Sequence, residues 1–329
     1  MKKILFISKG IESSSTRYRA SQYFNMLISS GYVPLHSNAS GGIINLLRTF
    51  NEARKSDVVI LIRKTFPYPI FWLLRKLSKT LIFDFDDAIF CHTDGTYSAT
   101  RMNKFKKIVT ECNYIFAGNH YLAEIARKFN PYVTVIPTSV DTKSYDLGIK
   151  IEKNDNLKLV WIGSSSTRKY VEELIPFLEI ANKKLGKIQL KIVADFLIHS
   201  DNLDIKNIRW SEETEIEELN KADIGIAPMP ENNWTKGKCA LKILQYMAAG
   251  LPVITSKAGV NGYVVVNNIT GYVSDDYQEW VDLIEDAITN KKKLSLMGNK
   301  GKQIVREQYD INVVFSSMLK VLKTLNSAA

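Results

Sequence analysis

The chain has 329 residues, 45% of them hydrophobic and 24% charged, a balance that excludes disorder and suits a globular protein of two domains. Three cysteines, Cys91, Cys112 and Cys239, stand at unrelated spacings; this excludes a zinc set or a disulfide framework and fits a reducing compartment, with the cytoplasm expected. The net charge of +10 is carried by one half, because residues 1–150 hold 21 Lys and Arg against 11 Asp and Glu while the remainder holds 23 of each.

Such a basic half points to an anionic partner, either the headgroups of an inner leaflet or a polyanionic substrate, with a plain soluble protein of high pI as the alternative. The first residues, Met-Lys-Lys-Ile-Leu-Phe-Ile-Ser, resemble the start of a secretory leader. Their apolar run ends at Ser8 with no small-residue cleavage site, so residues 4–8 are expected as a buried first strand. No apolar segment reaches the roughly 20 residues that a membrane span needs.

A loop from Gly10 leads into a helix expected through about residue 29, closed by Gly31. It lies at the carboxyl end of the first strand, where open parallel sheets bind ligands. Arg17 and Arg19 are therefore candidates for phosphate or acceptor contacts, with solvated charges at a helix start as the alternative. No G-x-G-x-x-G follows the strand, which counts against a dinucleotide-binding dehydrogenase.

Further strands are expected at 33–35, 58–62, 81–83, 114–117 and 133–136 with helical segments between them, the alternation of a doubly wound α/β domain. Residues 66–80 interleave aromatic and basic side chains as interfacial membrane helices do, and equally suit a half-buried crossover helix. Asp84, Asp86 and Asp87 crowd the carboxyl end of the fourth strand. A D-x-D pair can hold a divalent ion against a diphosphate, but that arrangement belongs to single-nucleotide-domain folds and is set aside. His92 and His120 are alternative acid/base groups, ranked below the acids. Asn119 caps the next helix, and the polar, aperiodic residues 143–156 are the expected linker.

The second half repeats the plan. A strand at 157–162 runs into Gly163-Ser-Ser-Ser-Thr-Arg-Lys-Tyr170 and a helix to about residue 184. Amides and hydroxyls of a Gly/Ser-rich turn at a helix N-terminus suit phosphate, with Gly163, Ser164, Arg168 and Lys169 as candidates; a capped helix with exposed charges is the alternative. Strands at 189–193 and 208–210, an acid-rich helix start from Ser211 and a strand with its exit at 223–230 follow. Trp234, in the loop beyond, is expected to cover a sugar or base. Residues 236–255 then read as a loop, a helix, a left-handed stop at Gly250 and a buried strand after Pro252. Lys236, Lys238 and Lys242 reinforce the positive end of that helix, so a phosphate-bearing ligand is expected there. Helices at about 276–288, 291–307 and 311–325 close the chain.

Gln245-Tyr-Met-Ala-Ala-Gly-Leu-Pro-Val253 resembles the "E-A-M-A-x-G-x-P-V" segment of the large retaining family of GT-B-fold glycosyltransferases. Val133-Thr-Val-Ile-Pro-Thr-Ser-Val-Asp141 is similar to that family's "V-I-P-N-G-V-D", residues 223–230 to its "A-D-I-G-I-x-P", and residues 258–273 to its glycine-rich donor loop and "x-T-G-x-x-V" hairpin. The resemblance implies two facing Rossmann-like domains with parallel sheets. The acceptor domain would span 1–145, with a C-terminal helix at 308–329 returning to it, and the donor domain 155–307.

It further implies a nucleoside diphosphate sugar held by Gly163, Ser164, Arg168, Lys169, Lys238, Lys242, Gln245, Gly259 and Asn261. An acceptor would meet Arg17, Arg19 and Asp84, with Asp86 or Asp87 orienting its hydroxyl and Lys169 and Lys238 on the leaving diphosphate. Neither a metal nor another cofactor is required. The family's paired glutamates fall at Lys238 and Gln245, and a common acid of the donor loop falls at Tyr263. Gln245 can still bond a ribose diol, whereas Lys238 cannot accept a hydrogen bond and is expected on phosphate or a carboxylate. The expected reaction is glycosyl transfer with retention to a glycan or polyprenyl-diphosphate-linked glycan, in bacterial cell-surface polysaccharide assembly at the inner face of the membrane. A GT-B-fold epimerase and a non-catalytic nucleotide-sugar binder are the alternatives. Nucleic-acid binding is not expected, because no RNA or DNA module is present.

Overall fold

The computed structural model describes residues 1–38, 40, 42–145 and 156–327, so the expected linker lies, from 146 to 155, outside the described residues. Contacts divide the chain into two units. One comprises Met1–Ser139, Asn232–Cys239 and Ile311–Ala329; the other comprises Val140–Glu231 and Ala240–Asp310.

The first unit is built on β1 (Lys2–Ser8), β2 (Tyr32–Asn38), β3 (Val58–Ile62), β4 (Thr80–Phe85), β5 (Tyr114–Ala117) and β6 (Val133–Val135). They form one sheet in the order β2-β1-β3-β4-β5-β6, parallel throughout. Strands covered on both faces need unbroken apolar runs rather than alternation, and Ile4 to Ile7 and Val58 to Leu61 are fully buried. The chain steps outward from β1 to β2 and then returns past β1 to β3. The carboxyl ends of β1 and β3 therefore flank the point where open sheets carry their sites.

Where one helix was expected after β1, there are three short pieces: Ser14–Arg19, a 3-10 turn Ser21–Tyr23, and Phe24–Ser29. The break falls where Arg19 turns inward. The C-terminal helix Ile311–Ser327 places Val314, Phe315, Met318 and Leu322 on one stripe, buried with Tyr23, Leu27, Ile4 and Phe6. Phe315 stacks on Tyr23 with ring centroids 5.9 Å apart. The returning helix is thus part of the first unit's core.

The second unit has β7 (Leu157–Ile162), β8 (Ile188–Ala194), β9 (Asp204–Arg209), β10 (Ile224–Ala227), β11 (Val253–Thr255) and β12 (Gly271–Val273). The order β12-β11-β10-β7-β8-β9 is again all parallel, with the reversal between β7 and β10. Trp161 and Trp280 are wholly buried in its core. The expected hairpin near residue 270 is absent among the described residues: β12 pairs parallel to β11, Val253 opposite Gly271, and the intervening Asn261–Val264 turn of helix makes this a crossover. Each unit is a doubly wound α/β domain.

One buried ion pair locks the carboxyl edge of the first sheet. Arg19 Nε and Nη2 donate to Asp84 Oδ1 at 2.9 and 2.6 Å, and Nη1 donates to the Ile136 carbonyl at 2.6 Å. Asp84 Oδ2 is buried with no hydrogen-bond partner among the described residues, a place for a proton. Burial pushes the Asp84 carboxyl up to about 6 from 3.8, against the pull of Arg19. Between those values the folded chain keeps a proton that the unfolded chain has released, so this group's contribution to stability falls as pH rises through the window. Arg19→Met leaves the carboxyl buried without its cation and is expected to cost about 3–5 kcal/mol in urea unfolding at neutral pH. Loss of the cation raises the carboxyl further, so the deficit should be smallest near pH ~4 and grow through pH ~6.

Candidate functional site

In the first unit, Arg19 and Asp84 were expected to meet acceptor. They are instead 1% and 0% exposed and bonded to each other, which removes both from any surface contact. Arg17 is half-buried, its guanidinium 5.0 Å from the Tyr18 ring centroid. His92 and His120 are both exposed.

Asp86 and Asp87, just past β4, face two cations. Arg63, at the exit of β3, lies 3.3 Å from Asp86 Oδ1 through Nε and pairs with Asp87 Oδ2 through Nη2. Its backbone N–H donates to the Asp84 carbonyl at 2.8 Å, and its φ is +53°. A non-glycine residue in the left-handed region costs on the order of 1 kcal/mol, tolerated where surrounding contacts fix it. Lys238 completes a quartet, its ammonium 2.9 Å from Asp87 Oδ1 and 3.8 Å from the Trp234 ring centroid. Trp234 is nearly buried under that ammonium, so the expected stacking of its ring on a sugar or base gives way to a cation–π contact.

The segment carrying Lys238 is fixed to the first unit at several points. Asn119 Nδ2 donates to the carbonyls of Lys236 and Lys238, each at 3.1 Å. A Cβ at Gly237 would sit 2.5 Å from the Ala88 nitrogen, so only glycine allows this approach. Cys239 Sγ donates to the Asp86 carbonyl at 3.4 Å, and burial pushes its thiol well up. Arg63 was not singled out from the sequence. Its signal was a basic residue ending the strand beside the sheet's reversal.

In the second unit, the turn after β7 lies at the reversal between β7 and β10. Gly163 is required there, since a Cβ would meet the Trp161 ring at 2.4 Å. Ser164 is exposed, its hydroxyl 2.9 Å from that of Ser166. Ser165 gives its backbone N–H and hydroxyl to Asp195 at 2.8 and 2.7 Å, so a carboxylate from the exit of β8, invisible to local pattern, shapes the turn. These bonds hold the Asp195 carboxyl below its ordinary range.

The helix Arg168–Leu185 follows directly on a 3-10 turn, Ser165–Thr167, whose Ser165 carbonyl accepts from the Arg168 N–H, and no side chain caps it at Thr167. Lys169 is exposed, 5.0 Å from the Tyr170 ring centroid. Arg168 pairs with Glu172 at 2.7 Å, an exposed contact worth under about 1 kcal/mol and easily exchanged. Two buried atoms, Trp161 Nε1 and Tyr170 Oη, meet no hydrogen-bond partner among the described residues. Lys242 holds its ammonium 4.2 Å from the Trp161 ring centroid.

Gln245, expected at a ribose, is buried in the helix Leu241–Ala248. Its Nε2 donates to Glu215 Oε1 at 2.5 Å and to the Tyr145 hydroxyl at 3.2 Å, while Trp210 Nε1 donates to Glu215 Oε2 at 2.7 Å. The amide nitrogen is therefore engaged by a buried carboxylate. Gly259 takes φ +64°, and Asn261 is buried with Nδ2 donating to Thr255 Oγ1 at 3.1 Å. Tyr263, in contrast, is 85% exposed.

Glutamate at position 245 would press one carboxylate against another, forcing one to hold a proton. Gln245→Glu is expected to lower stability by about 1–3 kcal/mol at neutral pH. Adding Glu215→Gln, which restores one acid and one amide, should recover most of the loss in thermal unfolding.

Residues 131–304 match the family model described as glycosyl transferases group 1. No curated protein matched the chain. Among solved structures, the chain is similar to a sucrose-phosphate synthase from Thermosynechococcus elongatus, with a TM-score of 0.77 at 13% identity over 100% of both chains. A glycosyltransferase from Rickettsia africae gives 0.76 at 13% identity, covering 100% of this chain and 99% of that one. Anabaena HepE in complex with UDP and glucose gives 0.73 at 13% identity, covering 98% of this chain and 100% of that one. These likenesses support the GT-B two-domain α/β fold, and with the family match over more than half of its length, the chain belongs to the group 1 glycosyl transferases.

Proposed function

We propose that the protein moves a sugar from a nucleoside diphosphate sugar, with retention at the anomeric carbon, to a glycan or polyprenyl-diphosphate-linked glycan in bacterial cell-surface polysaccharide synthesis at the inner face of the membrane. The observation that carries the donor half is the exposed turn from Gly163 to Thr167 at the reversal of the second sheet, running into a helix start that bears Arg168 and Lys169. HepE, a structural neighbour, was solved with UDP-glucose, which supports a donor of that class. A diphosphate at this turn would take the Ser164 hydroxyl, Lys169 and a released Arg168 as partners. As the glycosidic bond breaks, charge gathers on the leaving phosphate while the anomeric carbon becomes cation-like, and fixed hydrogen-bond donors and cationic groups lower that barrier. Lys242, Gly259 and Asn261 would supply further donor contacts. No metal or other cofactor enters this reading.

The acceptor half rests on Asp86 and Asp87. Arg63 and Lys238 hold both carboxylates in place, so they would orient the acceptor hydroxyl, whose proton passes to the leaving phosphate oxygen. Lys238 then acts by fixing Asp87 and not as a grip on the donor.

A panel of nucleoside diphosphate sugars in a thermal-shift assay tests the donor half. A ligand at 100 times its dissociation constant adds roughly 2.7 kcal/mol, and Lys169→Ala should weaken binding about tenfold, or ~1.4 kcal/mol. Absence of a shift with every donor would refute the reading. For the acceptor half, Asp87→Asn is expected to lower kcat by about 10²-fold or more while leaving the donor-induced shift in place. A parallel loss of donor binding would count against the assignment.

A further inference from the structure

Two neighbouring helices of the first unit leave an apolar stripe uncovered. Gly42–Lys55 connects β2 to β3 and Tyr68–Leu77 connects β3 to β4; right-handed crossovers put both on the same face of the sheet, and they touch. Ile43, Ile44 and Leu47, spaced to share one side of the first helix, are 69%, 63% and 61% exposed. On the second helix, Trp72 and Leu73 are 47% and 37% exposed. Single exposed apolar residues need no explanation, but adjoining ones on paired helices mark a contact surface.

Cations surround the second of these helices. Tyr68, Trp72, Arg75, Lys76 and Glu111 border a cleft of about 400 Å³. Lys76 lies 5.9 Å from the Trp72 ring centroid and Lys107 lies 4.7 Å from that of Tyr68. Glu111, the acid of the cleft, accepts from the Tyr68 hydroxyl at 2.9 Å, and Arg75 Nε donates to the Glu111 carbonyl at 2.8 Å. Aromatic rings and long basic side chains around an apolar stripe match a bilayer boundary, where the stems enter the acyl edge and the charged heads meet phosphate. A second copy of this chain is a poorer occupant, since the whole +10 excess lies within residues 1–150 and would repel itself.

We propose that the paired helices Gly42–Lys55 and Tyr68–Leu77 form a peripheral docking surface for an anionic lipid bilayer, with Ile43, Ile44, Leu47 and Trp72 entering the interface and Lys76 and Lys107 meeting headgroup phosphates. This deepens the lipid-linked-acceptor reading of the preceding subsection, yet binding to vesicles does not depend on donor or turnover.

The full chain is sedimented with vesicles of phosphatidylcholine alone and of phosphatidylcholine with phosphatidylglycerol, at low and high salt. Binding is expected only to the anionic vesicles and to weaken with salt, as the screening length falls from about 10 Å at 0.1 M to about 3 Å at 1 M. Ile44→Ser with Leu47→Ser, and separately Trp72→Ala with Lys76→Glu, should each reduce it at least tenfold while thermal unfolding and the donor-induced shift are retained. No binding by the unaltered chain overturns the proposal, as does undiminished binding by both variants. Concentration-dependent dimers that the first double variant abolishes would assign the face to self-association and also overturn it. Loss of the donor shift with vesicle binding intact would fault only the glycosyl-transfer reading.

Discussion

The carboxyl edge of the first sheet depends on a guanidinium and a carboxylate taken out of water together. Arg19 joins three places distant in sequence: the broken helix after β1, the end of β4 at Asp84, and the exit of β6 at Ile136. A buried pair of this kind contributes little net stability over an apolar replacement, yet loss of one partner alone is severe. Its value here is registration. With Asp84 bonded to Arg19, Asp86 and Asp87 follow past the strand end, Asp87 buried under Arg63 and Lys238, and the carbonyl of Asp84 takes the Arg63 N–H.

The same logic of matched charge runs through both units. Arg63 and Lys238 balance Asp86 and Asp87 at one edge, and in the second unit a neutral amide at position 245 sits against the buried Glu215. Where the family resemblance places glutamates, this chain has Lys238 and Gln245. Each replacement has a local electrostatic cause: an ammonium suits the Asp87 neighbour, and an amide suits the Glu215 neighbour. Both residues are matched to their neighbours in this chain, and the surrounding backbone keeps the expected course, including the left-handed stop at Gly250, φ +80°.

Strands such as Val58–Ile62 and Tyr114–Ala117 were legible to the residue, because a doubly covered parallel strand must be continuously apolar. The turn and helix after β7 were legible as well, being local Gly/Ser chemistry followed by helical spacing. Side-chain pairing across long separations was not. Nothing in residues 10–29 announces that Arg19 must reach Asp84, so the helix break and the burial of two expected acceptor contacts were missed. Asp195 under Ser165 and Glu215 under Gln245 escaped for the same reason. The parallel placement of β12 was obscured because glycine and threonine near residue 270 suit a hairpin or a crossover equally, and tertiary pairing decides between them.

The partition of the chain bears on how it acquires its structure. The first unit recruits Asn232–Cys239 from within the stretch that builds the second and Ile311–Ala329 from beyond it, and its core is unfinished until Val314, Phe315, Met318 and Leu322 arrive. During vectorial synthesis the domain that leaves the ribosome first would thus be the last to mature, with Tyr23 and Leu27 awaiting their cover while the later domain folds ahead of it.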